Sequence, residues 1–119
     1  RAKWAKWYKE ELSSIDWLQL PKEPKNYKHS WQSFVVYVDQ DKAPMSRNKI
    51  MENLQEKGIS TRPGTHAVHM LTIYRERLGT QTNDFPISRD CDANTMAIPL
   101  HNLMVENDFK HVVNSLRDL

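Results

Sequence analysis

The run TRPGTHAVHML, residues 61–71, gathers Arg62, Thr65, His66 and His69 around Gly64. An arginine fork with a hydroxyl beside it suits a phosphate or a carboxylate. The run sits just after a short predicted strand and just before a predicted helix start, where main-chain N–H groups lack partners and attract anions. The same residues also read as local structure: Thr65 capping the helix and His66 bonding nearby. Gly64 reads as a turn beside them.

Three other constellations invite chemistry. His66 and His69 are spaced like metal ligands, with His101 as a third donor, which makes a small metal hydrolase one reading. A zinc site needs three or four such ligands, and the H-E-x-x-H pattern is absent. Isolated histidine pairs are more often structural, so no metal is expected. Cys91 lies mid-helix between Asp90 and Asp92, and flanking acids disfavour the thiolate that a nucleophile needs. It reads as a small, partly buried residue. The three glycines stand at element ends, so no glycine-rich phosphate loop is present.

The elements that position these groups follow from periodicity. Residues 2–15 set Trp4, Trp7, Tyr8, Leu12 and Ile15 on one side of a helix and lysines and glutamates on the other. Residues 21–32, with Pro21 and Pro24, read as an extended connection. Residues 33–39, SFVVYVD, are β-branched and aromatic, a strand. Phe34, Val36 and Val38 point to one side and Val35 and Tyr37 to the other. Both faces are apolar, so both need cover, and a chain this polar is expected to supply only one layer.

Ser46 caps a helix over 46–57 that buries Ile50, Met51 and Leu54 and stops at Gly58. Residues 59–62 predict a short strand, and 67–78 a helix with Ala67, Leu71, Tyr74 and Leu78 in line. Pro86 opens a helix over 86–95. Residues 96–100 form a third strand, and Pro99 suggests an edge or a strand end. A last helix covers roughly 105–117. The expected fold is α/β (α+β): a two-layer sandwich, a three-stranded, mostly antiparallel sheet with helices on one face.

At 119 residues the chain has room for one domain. Its net charge of +2 is too small for the basic stripe of a nucleic-acid binder. A single cysteine excludes an internal disulfide and points to a reducing, cytoplasmic setting. No apolar run reaches membrane-spanning length. The chain opens on Arg1 and not on Met, which fits either a processed chain or a piece of a longer protein.

Five stretches in order carry a family resemblance: RAKWAKWYKEEL, SWQSFVVYV, SRNKIMENLQEKGIST, HAVHMLTIYRE and AIPLHNLMVENDFKHVVNSL. Together they resemble the C-terminal small domain of the DegT/DnrJ/StrS family of pyridoxal phosphate-dependent sugar aminotransferases. The resemblance implies that residues 1–20 lead from a large N-terminal domain, 21–32 connect, and 33–119 form the α/β core. It implies an enzyme that moves an amino group from an amino acid, commonly glutamate, to a keto nucleotide sugar, within a homodimer. Pyridoxal phosphate and its lysine would belong to the large domain. The isolated piece would hold no cofactor, show no activity and hide its apolar sheet face by self-association.

The family's His-Tyr pair before Pro-x-His, aligned on GIST, falls on Gly64 and Thr65, with Ala67 at the proline and His69 at the second histidine. The TRPGTHA run resembles a subgroup of the family. By this resemblance Arg62, Gly64, Thr65, His66 and His69 form a wall of the sugar-nucleotide site. The residues alone also fit a second class, a stand-alone α/β module binding an anionic ligand or a protein partner.

Overall fold

The computed structural model describes all residues, 1–119. Helix α1 (Ala2–Glu11) continues into a 3-10 turn at Leu12–Ser14, then β1 (Leu18–Gln19) and the central strand β2 (Phe34–Val38). Helix α2 (Arg47–Glu56), β3 (Arg62–Pro63), a 3-10 turn at Val68–Met70 and helix α3 (Thr72–Leu78) follow. The chain closes with α4 (Pro86–Asn94), β4 (Thr95–Ile98) and α5 (Glu106–Arg117). The strands form one antiparallel sheet in the order β1-β2-β4-β3.

The expected sandwich is present, with four strands where three were predicted. The addition, β1, is two residues long and pairs Leu18 with Val38 and Gln19 with Tyr37. It is too short to show alternation. The strand expected at 59–62 contracts to Arg62–Pro63, because Ile59 turns into the core. The strand carrying MAI begins one residue earlier and is interior, between β2 and β3. Pro99 lies just beyond its end, the second of the two positions expected for it, and the edge proline is Pro63.

Phe34, Val36 and Val38 are buried against Ala5, Tyr8 and Leu12 of α1, Ile50 and Leu54 of α2, and Phe109, Val112, Val113 and Leu116 of α5. Aromatic rings knit this layer. Trp4 stacks on Phe109 at 4.2 Å, and Tyr8 meets Phe34 at 5.3 Å and Phe109 at 5.2 Å. Such pairs stabilise by about 0.5–1.5 kcal/mol beyond their burial. The Tyr8 hydroxyl donates to the Pro99 carbonyl at 2.9 Å, tying α1 to the end of β4. Val35 and Tyr37 on the second face are half-buried. Helix α4 meets this face, where the Tyr37 hydroxyl donates to Asp90 Oδ1 at 3.3 Å. The chain therefore gives part of the second layer itself. No helix is long and apolar enough to cross a membrane.

The helix ends follow their residues. Ser46 Oγ accepts from the Lys49 amide, and Pro86 opens α4. The Asp108 carboxylate takes the Val105 N–H at 2.8 Å at the start of α5. The helix expected over 67–78 is divided. Leu71 is extended, with ψ 138°, and separates the 3-10 turn from α3. No residue of α3 is buried.

Candidate functional site

The segment from Arg62 to Leu71 hangs from the free edge of β4. Arg62 pairs with Ala97 and Pro63 with Met96, and the Gly64 amide then donates to the Thr95 carbonyl at 3.0 Å. A side-chain carbon on Gly64 would stand 2.5 Å from Thr95 Oγ1 and 2.6 Å from Val35 Cγ1. The close approach at this glycine is therefore to its own sheet.

One buried side chain fixes the ground on which this segment rests. Arg47, in the first turn of α2, reaches the C-terminal end of α4. Its Nη1 donates to the Thr95 carbonyl at 3.0 Å and its Nη2 to the Asp92 carbonyl at 2.8 Å. Carbonyls ending a helix carry partial negative charge, so a guanidinium there is well placed. Its Nε is buried without a partner. Thr95 Oγ1 in turn donates to the Cys91 carbonyl at 2.6 Å. Arg47, Thr95 and the last turn of α4 form one network under Gly64. Arg47 heads the stripe that continues through Ile50, Met51 and Leu54, a spacing that marks it in the sequence as facing inward.

The side chains above this base differ in their surroundings. Arg62 and Thr65 are exposed and make no side-chain hydrogen bond within the chain. Thr65 caps no helix: the next element is a three-residue 3-10 turn whose N-cap is Ala67, with no side-chain bond. The helix-start anion site expected at Thr65 is not formed, because Thr65 and His66 pass in irregular conformation before the turn begins. His66 is exposed, with Nδ1 3.7 Å from Asp92 Oδ1, an ion pair only when the imidazole is protonated. His69 is buried and joins two segments. Its Nε2 donates to the Thr82 carbonyl at 3.2 Å, its own carbonyl accepts from Thr80 Oγ1 at 2.7 Å, and its ring meets Phe85 edge-on at 5.0 Å. It clasps residues 80–85 onto the 3-10 turn.

The metal-type grouping does not form. His66 turns to Asp92 and His69 to Thr82, while His101 lines a separate 420 Å³ hollow with His111 and Asp108. No three histidine, cysteine or carboxylate side chains gather as a metal would need. Cys91 is free and half-buried in α4.

Two phenols are displaced from their ordinary behaviour. Burial, with the Asp108 charge adding to it, pushes the Tyr8 phenol well up. Desolvation and then the bond to Asp90 raise that of Tyr37. Both stay protonated, as their donor roles require.

Comparison with known proteins meets this geometry with a clear match. The model of the DegT/DnrJ/EryC1/StrS aminotransferase family covers residues 1–117. The chain belongs to this family. The protein MJ1066 of Methanocaldococcus jannaschii is 27% identical to this DegT-family chain over 115 residues, 97% of this chain and 30% of that protein. Among solved structures, the aminotransferase TlmJ of Streptoalloteichus hindustanus superposes with a TM-score of 0.83 at 21% identity. It is matched over 98% of this chain and 30% of its own. DesV of S. venezuelae, solved with a ketimine intermediate, gives 0.83 at 18% identity, with 98% and 30% covered. The Psychrobacter cryohalolentis aminotransferase gives 0.86 at 16% identity, with 98% and 32% covered. These likenesses establish that the DegT-family chain shares their fold. It spans about 30% of the length of these relatives.

Proposed function

We propose that residues 1–119 are the small domain of a pyridoxal phosphate-dependent aminotransferase that passes an amino group from an amino acid, glutamate, to a keto nucleotide sugar. The reading rests on the family match over residues 1–117, on a fold held in common over 98% of the chain with aminotransferases that include the sugar aminotransferase CalS13, and on the 29–30% share of theirs that it covers. Spr1654 of Streptococcus pneumoniae has been solved in PLP and PMP forms, which supports the choice of cofactor.

Residues 1–119 do not fit the cofactor by themselves. Its covalent attachment calls for a desolvated lysine amine. Every lysine here is exposed except half-buried Lys9, which faces Glu23 at 3.9 Å. In this reading the large domain holds the cofactor, which supplies the electron sink and carries the amino group. This chain binds and orients the sugar nucleotide. Arg62 offers its fork to a phosphate, Thr65 and His66 offer a hydroxyl and an imidazole, and Gly64 contributes main chain held rigidly by Thr95. His69 acts by positioning the 80–85 segment.

The surface supports a large neighbour. Leu71, Ile73, Tyr74, Leu78, Phe85 and Ile87 keep between 40% and 79% of their area exposed, from the residue before α3 through the following loop to the start of α4. Large apolar side chains left exposed this close together in the sequence suit an interface. We assign it to the large domain and to a homodimer partner of a cytoplasmic enzyme. The test uses the full-length protein with pyridoxal phosphate and glutamate. Borohydride should fix the cofactor to a lysine outside residues 1–119, and a keto nucleotide sugar should be aminated at glutamate's expense. Absence of both would overturn the reading.

A further inference from the structure

A second recess lies apart from this site. It is a 270 Å³ cleft between α1 and the 21–32 connection, lined by Ala2, Lys6, Lys9, Glu23, Lys28, His29 and Trp31. We propose that this cleft binds a phosphate dianion, free or as the terminal group of a small monoester.

Its walls are ordered. Trp31 is 4% exposed and sits in left-handed backbone conformation, φ +51°, which a bulky residue adopts only when its surroundings hold it there. Its amide donates to His29 Nδ1 at 2.8 Å, and the two rings lie 4.1 Å apart. The His29 amide donates to Glu23 Oε1 at 3.1 Å. Glu23 faces Lys9 at 3.9 Å, and Lys9 Nζ stands 5.8 Å from the centre of the Trp31 ring. Histidine, tryptophan, glutamate and lysine thus fix one another.

The charge count favours an anion. Three ammonium groups meet one carboxylate on the walls. Glu23 is already shared by the His29 amide and Lys9, and Lys6 has only a loose contact of 3.8 Å with Glu10 on the helix surface. Lys28 has no carboxylate partner. Because His29 Nδ1 accepts from Trp31, the neutral ring carries its proton on Nε2 and adds a fourth donor. The cleft holds no arginine, so it lacks the planar fork that matches a carboxylate edge. Three separate ammonium groups, each with three rotatable donors, suit the three oxygens of a tetrahedral phosphate instead. The volume falls just below the usual range of small-molecule pockets, which suits a compact ligand.

The cleft is independent of Arg62–His69. Strand β2 runs antiparallel to β4, and β4 to β3, so the starts of β2 and β3 share one end of the sheet. Trp31 lies before the start of β2, and Gly64 follows the end of β3. Gly64 and the residues after it therefore stand at the opposite end from the cleft, while Arg62, at the start of β3, is separated from β2 by β4.

Equilibrium dialysis of radiolabelled inorganic phosphate against the full-length protein, saturated with pyridoxal phosphate, tests the assignment. A saturable site is expected that weakens by about a hundredfold in the Lys6→Gln/Lys28→Gln double variant, about tenfold for each charged contact removed. Arg62→Gln should leave it intact. Both lysines are exposed, so the double variant should keep its circular dichroism and melting temperature. Tighter binding of glycerol 3-phosphate than of phosphate would identify a monoester as the occupant, and equal binding the free ion. Identical binding by wild type and double variant, or loss in Arg62→Gln alone, would overturn the proposal. The readout does not depend on amino transfer, so it stands or falls apart from the proposed activity.

Discussion

Gly64 and Thr95 are locked face to face: the Gly64 amide donates to the Thr95 carbonyl at 3.0 Å, and a methyl group on Gly64 would overlap the Thr95 side chain at 2.5–2.7 Å. We therefore expect Gly64→Ala to force β3 away from β4. A loss of about 1–3 kcal/mol, the usual cost of overpacking, should appear in urea denaturation. A variant as stable as wild type would show that the edge strand tolerates the displacement.

Arg47 supports the same carbonyl from below. In Arg47→Met the carbonyls of Asp92 and Thr95 lose a charged donor inside the protein. A cost of about 2–4 kcal/mol follows, since each bond to a charged group contributes about 1.5–3 kcal/mol before relaxation. Arg47→Lys should recover only part of it, because one ammonium cannot span both acceptors in the fork's geometry. Chemical denaturation of the two variants gives the comparison, and full recovery by lysine would contradict the forked arrangement.

The Tyr8 phenol gives the fold an alkaline limit. Its folded value is raised, so its contribution is complete below the ordinary phenol value of about 10. It is lost as the pH climbs above that, because the unfolded chain then releases a proton that the folded chain retains. Tyr8→Phe should cost about 0.5–1.5 kcal/mol at neutral pH, through the bond to Pro99, and should flatten the loss of stability above pH ~10. Denaturation midpoints measured at neutral and alkaline pH decide this; parallel curves would contradict it.

His69 holds residues 80–85 by two hydrogen bonds and an edge-on contact with Phe85. His69→Ala should release that segment while leaving the core in place. Limited proteolysis should cut faster between Thr80 and Phe85, and amide exchange should rise there while the amides of β2 and β4 stay protected. Unchanged cleavage would mean that the apolar contacts alone retain the loop.

If Arg62 meets a phosphate of the sugar nucleotide, Arg62→Gln in the full-length enzyme should raise KM for the nucleotide sugar by about tenfold or more, with kcat little changed. Steady-state kinetics at saturating amino donor measure this. A fall in kcat at constant KM would place Arg62 in a different role.

Much of the layout could be read from residue spacing, and the misses have physical reasons. Helices α1, α2 and α5 and the central strand are legible because each buries a face in this chain's own core, so period and burial agree, whereas α4, which buries no residue, is marked by Pro86 at its start. Leu71, Tyr74 and Leu78 keep helical spacing too, yet α3 buries nothing. Spacing alone cannot say whether an apolar stripe meets this chain's own core. Of the two readings of Pro99 the strand end holds, since it directly follows an interior strand, while Pro63 lies in the edge strand. Around the candidate site, Arg62, Gly64, Thr65, His66 and His69 were singled out by type. The residue beneath them, Arg47, was overlooked because arginine in a first helical turn ordinarily reads as solvated. Its place at the head of the Ile50–Leu54 stripe was the available sign.

Both rims of the sheet end in strands only two residues long, Leu18–Gln19 and Arg62–Pro63, and the second includes a residue with no amide hydrogen to give. Neither border offers a neighbouring polypeptide a ladder to lengthen. Growth by templated stacking, the route to fibres, is closed at the perimeter even while oily side chains stay uncovered on α3. The chain can leave those side chains uncovered without recruiting copies of itself edge to edge.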